Sequence, residues 1–251
     1  HIFQAIAELF GKADGYCKGR GGGMHIADFS VGHLGANAIV GGSVPIAVGA
    51  ALSCRLLYPE RTVLCFAGDG AYANGVVLES LNIASMEQFT NKLAETPFGI
   101  PVIFLILNNV FSMTGRQRGE VTGIDYMARR GAGFANNNMH AEVVNGMDIL
   151  AVLDAVKRGA TLCRQGKGPV LIELLTYRFL GHSLGDQGTE YRQKEEVNLW
   201  KEFDPINLFS RKMKEAKLND EEEIKKIWAK AEKRNEIAAV RAAEAPEPAT
   251  E

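Results

Sequence analysis

TVLCFAGDG at residues 62–70 and PVIFLILNN at residues 101–109 are the two stretches that decide the fold. Each contains a short, continuous apolar run bounded by proline, glycine or asparagine, which is typical of a strand buried on both faces of a sheet. We therefore predict strands over residues 62–67 and 101–107. A carboxylate, Asp69, follows the first strand, and an amide pair, Asn108 and Asn109, follows the second.

These polar residues lie at the carboxyl ends of predicted strands, where open α/β sheets bind ligands. Carboxylate and amide oxygens suit magnesium or calcium, whereas zinc favours sulfur and imidazole ligands. Gly68 and Gly70 flank Asp69 and let the backbone approach an anion closely, and the N-terminus of the following helix would face that anion. The pattern predicts a hard cation beside a phosphate.

Strands and helices alternate along the rest of the chain. Further strands are predicted over residues 141–144 and 169–175, and helices over residues 45–58, 72–89 and 149–164. Since parallel strands need helical crossovers, this alternation predicts an α/β fold with a doubly wound, mainly parallel sheet flanked by helices.

The two ends of the chain have a different character from its middle. Residues 1–12 end a helix, and residues 220–243 form a charged helix followed by a tail rich in proline and glutamate. We expect three regions, an α/β domain at residues 1–195, a helical extension at residues 196–244 and a disordered tail at residues 245–251.

Composition argues against several classes of protein. The chain has 251 residues and a net charge of −2, so it offers no basic surface for nucleic acid. The longest apolar stretch, residues 44–57, is too short to span a membrane. The four cysteines lack CxxC spacing, which indicates buried small side chains and a reducing compartment. With no signal peptide visible, we expect a cytoplasmic location.

The GDG turn and the later asparagine pair resemble the thiamine-diphosphate motif. Further blocks resemble the alpha subunit of the decarboxylating first component of 2-oxo acid dehydrogenase complexes, the pyruvate and acetoin dehydrogenase type. The blocks are CKGRGGGMHIADF at residues 17–29, GANAIVGGSVPIAVGAAL at 35–52, AGDGAYANG at 67–75, VNGMDILAV at 144–152, GKGPVLIELLTYRFLGHS at 166–183 and DPI at 204–206.

The resemblance implies a thiamine-diphosphate-binding fold and a set of site residues. Asp69, the side chain of Asn109 and the backbone carbonyl of Phe111 would bind Mg²⁺, with diphosphate oxygens and water completing the octahedron. The other implied cofactor contacts are Gly68, Gly70 and Ala71 at the diphosphate, Ala38 and Val40 through backbone groups at the aminopyrimidine ring, Arg178 at the diphosphate and His182 at the reacting centre, where His182 would be catalytic.

The implied activity is oxidative decarboxylation of a 2-oxo acid, or acetoin cleavage, with acyl transfer to a lipoyl group. The glutamate that activates the cofactor would come from a beta subunit, so the chain would act only within an α2β2 assembly. A lipoyl-bearing acyltransferase would accept the acyl group. Ser183 occupies the position that some relatives phosphorylate, and no nucleic acid or membrane partner is expected.

Two features depart from the family pattern. The spacer between GDG and the asparagine pair is longer than usual, with the excess in residues 86–99, and an N-terminal segment that would carry a Tyr-Arg pair to the diphosphate is missing. A degenerate or non-catalytic scaffold subunit therefore stays open. A dinucleotide-binding oxidoreductase is disfavoured because no GxGxxG follows a strand, and a transketolase-like relative should lack the TYRxxGHS block.

Local alternatives also stay open for the individual residues. Asp69 could be a helix N-cap, because aspartate accepts hydrogen bonds from the first turn of a helix. Asn109 could be a turn residue at the end of a strand. Arg178 and His182, taken without the resemblance, could be a surface arginine and a loop histidine.

Overall fold

The computed structural model describes residues 1–86, 99–137 and 139–249. Its chain divides into two compact units, one of residues 40–209, the sheet unit, and one of residues 1–39 with 210–251, the terminal unit. This division differs from the predicted boundary at residue 195. The reason is that the first and last helices of the chain pack together within the terminal unit.

A four-stranded parallel sheet forms the core of the sheet unit, which confirms the predicted α/β fold. The strand order is β1-β2-β4-β3. The strands begin and end within a residue or two of the predicted ones. They are β1 (Val63–Gly68), β2 (Val102–Asn108), β3 (His140–Asn145) and β4 (Val170–Leu175).

Burial on both faces is right for β2 and wrong for β1. Ile103, Phe104 and Ile106 in β2 are fully buried. In β1, at one edge of the described sheet, Leu64 and Phe66 are 43% and 58% exposed. These two residues pair in register with positions of β2 on the face that α4 (Ile149–Arg164) covers, and α4 packs on β2, β3 and β4. An apolar run therefore did not distinguish an edge strand from a central one.

Helices cover both faces of the sheet, as expected for parallel strands. α2 (Ser43–Leu57) and α3 (Gly75–Ala84) pack on one face and α4 on the other. α4 has the predicted bounds, and its N-cap Asp148 accepts a hydrogen bond from the N–H of Leu150 at 3.0 Å.

The predicted helix over residues 72–89 begins later than expected. A short 3₁₀ turn occupies Asp69–Ala73, and α3 starts at Gly75 because Asn74 caps it, accepting from the N–H of Val76 at 3.2 Å. Residues 87–89 of that prediction, and residues 87–98 of the long spacer, lie outside the described residues.

The remaining helices are α1 (Ile2–Leu9), α5 (Lys194–Lys201), α6 (Pro205–Glu215) and α7 (Glu221–Glu244). α7 begins at a capping box formed by Asp220 and Glu223. None of the helices in the described ranges is long and apolar enough to cross a membrane.

The tail differs from its predicted disorder over residues 245–249. The N–H of Ala13 donates to the carbonyl of Pro246 at 2.8 Å, and the guanidinium of Arg20 donates to the carbonyl of Ala249 at 2.6 Å. Its proline and glutamate content predicted exposure, but contacts from the N-terminal part of the terminal unit give the backbone partners. Residues 250 and 251 lie outside the description.

A buried carboxylate organises the glycine-rich loop of the terminal unit. Glu8 is 2% exposed. Its Oε2 accepts hydrogen bonds from the N–H groups of Cys17 and Gly19 at 2.7 and 2.9 Å, and its Oε1 accepts from Gly21 and Gly22, both at 2.8 Å. Burial alone would raise the pKa of Glu8, but these four donors hold it below its ordinary value.

Replacing Glu8 by glutamine should loosen this loop. Glu8→Gln exchanges one acceptor oxygen for an NH₂ donor, so N–H groups that now bind the carboxylate lose their partner. We expect hydrogen exchange across residues 17–22 to accelerate by about ten- to a hundredfold, which corresponds to roughly 1–3 kcal/mol. Exchange mass spectrometry measures this, with Glu232→Gln on the exposed side of α7 as control.

The same loop should respond to pH with a defined sign. Because folding lowers the pKa of Glu8, its stabilising effect is complete above the pKa of an unfolded glutamate, about 4.3. The effect is lost as the pH falls through the lower, folded value. Equal exchange of the wild type and Glu8→Gln at neutral pH would contradict the assignment.

Candidate functional site

The candidate site lies at the carboxyl ends of β1 and β2. In their parallel register Gly68 pairs with Leu107. Asp69 therefore leaves β1 next to the asparagine pair that ends β2, although the two motifs are far apart in the sequence. This placement is the one predicted for a ligand site of an open α/β sheet.

Asp69 presents a carboxylate oxygen that is free to bind a ligand. The residue is 2% exposed. Its Oδ1 accepts from the N–H of Gly70 at 2.8 Å, whereas its buried Oδ2 has no hydrogen-bond partner among the described residues. Burial raises the pKa of Asp69, while the Gly70 N–H and the nearby charge of Arg178 oppose that rise. The N-cap alternative is wrong, since Asn74 caps α3.

Asn109 presents a second such oxygen. Its Oδ1 is buried, and no residue in the described ranges hydrogen-bonds it. The turn role belongs to its neighbour, because Asn108 Oδ1 accepts from the N–H of Val110 at 3.1 Å. Val110 has a φ of 77°, a left-handed conformation that is strained for a β-branched residue. This strained turn separates the two predicted metal ligands, Asn109 and Phe111.

A buried glutamate fixes the start of the loop after β2. Glu173 in β4 is fully buried. One carboxylate oxygen accepts from Asn108 Nδ2 at 2.7 Å and the other from the N–H of Ala128 at 2.9 Å. Asn108 Nδ2 also donates to Gln117 at 3.2 Å. No role was expected for Glu173, although a single acidic residue inside an apolar strand is a signal that could have found it.

Arg178 binds the end of the same loop. Its Nη1 donates to the carbonyls of Ser112 and Phe111 at 2.6 and 3.3 Å, and its Nη2 donates to the carbonyl of Met113 at 2.8 Å. The Phe111 carbonyl, a predicted metal ligand, is thus shared with a guanidinium. Arg178 Nε is buried and has no acceptor in the part of the chain that the structure describes. One donor of Arg178 therefore stays available for an anion.

His182 lies beside Arg178 in a loop with its own hydrogen bonds. Its Nδ1 is 3.3 Å from Arg178 Nη1. Asp186 accepts from the N–H of His182 at 2.7 Å, from the hydroxyl of Tyr191 at 2.6 Å and from the N–H of Gly188 at 2.7 Å. The bond from Tyr191, followed by that from the His182 N–H, lowers the pKa of Asp186 to about 2. No sequence motif marked Asp186 or Tyr191.

The backbone positions predicted for the aminopyrimidine ring fall in different units. Ala38 belongs to the terminal unit and Val40 to the sheet unit. The carbonyl of Val40 accepts from Asn74 Nδ2 at 2.9 Å. Ala38 is not in the left-handed region, since the described non-glycine residues with positive φ are Lys18, Val110 and Lys217. Alanine at position 38 is therefore unstrained.

The two glycines of the GDG turn face different surroundings. A Cβ on Gly68 would meet nothing within 4 Å, so this side of the turn is open to a ligand. A Cβ on Gly70 would lie 2.8 Å from Ser112 Oγ and 3.0 Å from Ser112 Cβ. Ser112 therefore occupies the space that makes glycine necessary at position 70. Ala71 follows as a buried residue of the 3₁₀ turn.

The donor set fits a hard cation. Asp69 Oδ2 and Asn109 Oδ1 are buried oxygens that lack partners within residues 1–86, 99–137 and 139–249, and a buried polar atom without a partner destabilises a protein. Mg²⁺ prefers one or two carboxylates with further oxygen ligands. Among the described residues, no group of three or more His, Cys, Asp or Glu could hold a metal. The predicted ligand set is not such a group, because it combines one aspartate with an asparagine side chain and a backbone carbonyl.

Comparisons with known proteins identify the family of the chain. The family model described as "Dehydrogenase E1 component" matches residues 2–251. The testis-specific mitochondrial pyruvate dehydrogenase E1 component subunit alpha of Rattus norvegicus is 38% identical over 247 residues. The mitochondrial subunit alpha of Sminthopsis macroura is 37% identical over 253 residues, and the somatic mitochondrial form of Homo sapiens is 36% identical over 251 residues.

The chain spans only part of these relatives. The alignments cover 98%, 100% and 100% of this chain but 58%, 64% and 60% of the relatives' own lengths. All three relatives are named as mitochondrial. This finding contradicts the expected cytoplasmic location. Free cysteines indicate a reducing compartment and do not distinguish mitochondrial from cytoplasmic proteins.

The two glycines should tolerate alanine differently. Gly70→Ala brings a methyl group against Ser112 and should destabilise the sheet unit by about 1–3 kcal/mol. Gly68→Ala, the matched control, enters open space and should stay within roughly 0.5 kcal/mol. Urea unfolding measures both. Ser112→Gly should restore stability in the Gly70→Ala background, and equal stability of the two single variants would contradict the predicted clash.

Removing the buried glutamate should cost more than removing an exposed one. Glu173→Ala leaves the Asn108 amide and the Ala128 N–H without their acceptor, so we expect a loss of about 2–4 kcal/mol in the free energy of unfolding. Glu195→Ala on the exposed side of α5 is the control. A loss no larger than that of the control would show that Glu173 does not stabilise the loop.

Proposed function

The chain belongs to the dehydrogenase E1 component family, and we propose that it provides the metal and diphosphate half of a thiamine-diphosphate site in a 2-oxo acid dehydrogenase. One observation carries this proposal. Asp69 and Asn109 follow the carboxyl ends of two adjacent strands. The buried Asp69 Oδ2 and Asn109 Oδ1 have no hydrogen-bond partner among the described residues. A bound cation would give both oxygens the partner that the protein itself does not provide.

The site residues divide into cation ligands and anion donors. Asp69, Asn109 and the Phe111 carbonyl would hold Mg²⁺, and the Nε of Arg178 would donate to the diphosphate. Gly68 leaves open space for that anion, with Gly70 and Ala71 in the same turn. Ala38 and Val40 would contribute backbone contacts to the aminopyrimidine ring. Thiamine diphosphate, when bound, supplies the carbanion chemistry that removes carbon dioxide from a 2-oxo acid.

His182 would handle a proton near the reacting centre. A guanidinium can only donate, so His182 Nδ1, which is 3.3 Å from Arg178 Nη1, must be the acceptor of that contact. The proton of the neutral imidazole is therefore on Nε2. This tautomer allows His182 to donate from Nε2 to an anionic group of the substrate, as a catalytic histidine does.

Partners and substrate follow from the relatives' names. They are alpha subunits of a pyruvate dehydrogenase E1 component, which supports a beta subunit in an α2β2 assembly and pyruvate as the 2-oxo acid. The beta subunit would contribute the glutamate that activates the cofactor, and a lipoyl-bearing acyltransferase would accept the acyl group. The same names support a mitochondrial location. Exposed Ser183 is a candidate for phosphorylation.

Binding of thiamine diphosphate should depend on magnesium and on Asp69. We expect calorimetric titration into the chain, co-purified with its beta partner, to detect binding only when Mg²⁺ is present. Loss of an outer-shell partner of a metal weakens binding roughly 10–100-fold. Asp69 would be a direct metal ligand, so Asp69→Ala should weaken the binding of thiamine diphosphate by more than that. Asp154→Ala, at an exposed position of α4, should bind like the wild type.

Two outcomes separate the enzyme from the scaffold alternative. Magnesium-dependent binding that Asp69→Ala abolishes supports a working half-site. If the folded complex shows no binding at all, the proposal fails, and the degenerate scaffold subunit becomes the better explanation of the conserved fold.

A further inference from the structure

We infer that Ser112 is a further ligand-binding residue, whose hydroxyl donates a hydrogen bond to a phosphate oxygen of the diphosphate. The inference rests on the proposed function and extends it to a residue that neither the GDG turn nor the asparagine pair includes. Ser112 follows Phe111 in the loop after β2.

The hydroxyl of Ser112 is the one polar group of this residue without a hydrogen-bond partner among the described residues. Its N–H donates to the carbonyl of Gly115 at 3.0 Å, and its carbonyl accepts from Arg178 Nη1 at 2.6 Å. Its Oγ is buried, and no described residue forms a hydrogen bond with it. The backbone is thus held on both sides, while the side chain presents an unused donor.

Ser112 Oγ lies directly against the GDG turn. A Cβ built on Gly70 would be only 2.8 Å from it. The hydroxyl therefore belongs to the same small volume as the Asp69–Gly70 segment, at the ends of β1 and β2. It is also on the residue whose carbonyl accepts a hydrogen bond from Arg178 Nη1.

The chemistry of the unpartnered atoms assigns the role. Asp69 Oδ2 and Asn109 Oδ1 are acceptors, which suits a cation. Ser112 Oγ and Arg178 Nε carry protons, and neither finds an acceptor in residues 1–86, 99–137 or 139–249. Phosphate oxygens accept strong hydrogen bonds from such donors. Two donors beside two acceptors match a diphosphate and the cation that it coordinates.

If the Ser112 hydroxyl binds a ligand and makes no hydrogen bond within the protein, folding should not require it. Removing an unpartnered buried donor relieves its desolvation and leaves the unliganded protein as stable as before or more stable. The same removal should weaken ligand binding. A residue with a purely structural role would show the opposite pattern, lower stability with unchanged affinity.

The test compares Ser112→Ala with the wild type, in the full chain together with its beta partner. Alanine keeps the Cβ that packs against Gly70 and deletes only the hydroxyl. At saturating Mg²⁺ we expect the Kd for thiamine diphosphate to rise about tenfold, the loss of one charge-assisted hydrogen bond. The melting temperature of the unliganded complex should stay equal or increase. Inorganic pyrophosphate with Mg²⁺ should show the same weakening, because the contact is with phosphate.

Ser85→Ala is the matched control. Ser85 is fully buried and its Oγ also lacks a partner among the described residues, but it lies at the end of α3, not at the GDG turn. Its substitution should change the melting temperature in the same direction and leave the Kd for thiamine diphosphate unchanged.

Three results would overturn the inference. Equal Kd values for Ser112→Ala and the wild type would remove Ser112 from the site while leaving the proposed function intact. If Ser112→Ala needs more Mg²⁺ for binding, but its Kd for thiamine diphosphate at saturating Mg²⁺ is unchanged, Ser112 would be a metal ligand instead. Failure of the wild-type complex to bind thiamine diphosphate would reject the proposed function and the inference with it.

Discussion

The parallel pairing of β1 with β2 is the constraint on which the site depends. It places Gly68 opposite Leu107, so the chain leaves both strands at the same edge of the sheet. Asp69 and Asn109 come together only through this register.

The second constraint is the loop after β2, which hydrogen bonds with two polar side chains fix at both ends. Glu173 binds Asn108 at its start, and Arg178 binds the carbonyls of Phe111, Ser112 and Met113 further along. Between these anchors Val110 adopts a strained left-handed conformation. Backbone strain of this kind persists only where the surrounding structure compensates for it, and it is most common at functional sites. The loop thus presents its oxygens at a defined place before any ligand arrives.

Several buried polar atoms without hydrogen-bond partners lie in this region. Elsewhere a buried carboxylate is fully satisfied, as Glu8 is by four backbone donors. At the ends of β1 and β2, by contrast, Asp69 Oδ2, Asn109 Oδ1 and Ser112 Oγ find no hydrogen-bond partner in the described part of the chain. Folding alone would favour satisfied groups. The presence of three such atoms at one edge of the sheet supports the proposed ligand site.

The sequence by itself determined the α/β class and the strand positions within a residue or two, because continuous apolar runs and the polar residues that bound them are local signals. It also predicted a ligand site at Asp69 and Asn109. It did not distinguish β1 from a central strand, and it did not identify Glu173, Ser112 or the Asp186–Tyr191 contact. Edge position and pairing between distant loops depend on which segments meet, and no local pattern records that. Only the tertiary structure decided which buried polar atoms found hydrogen-bond partners among the described residues and which did not.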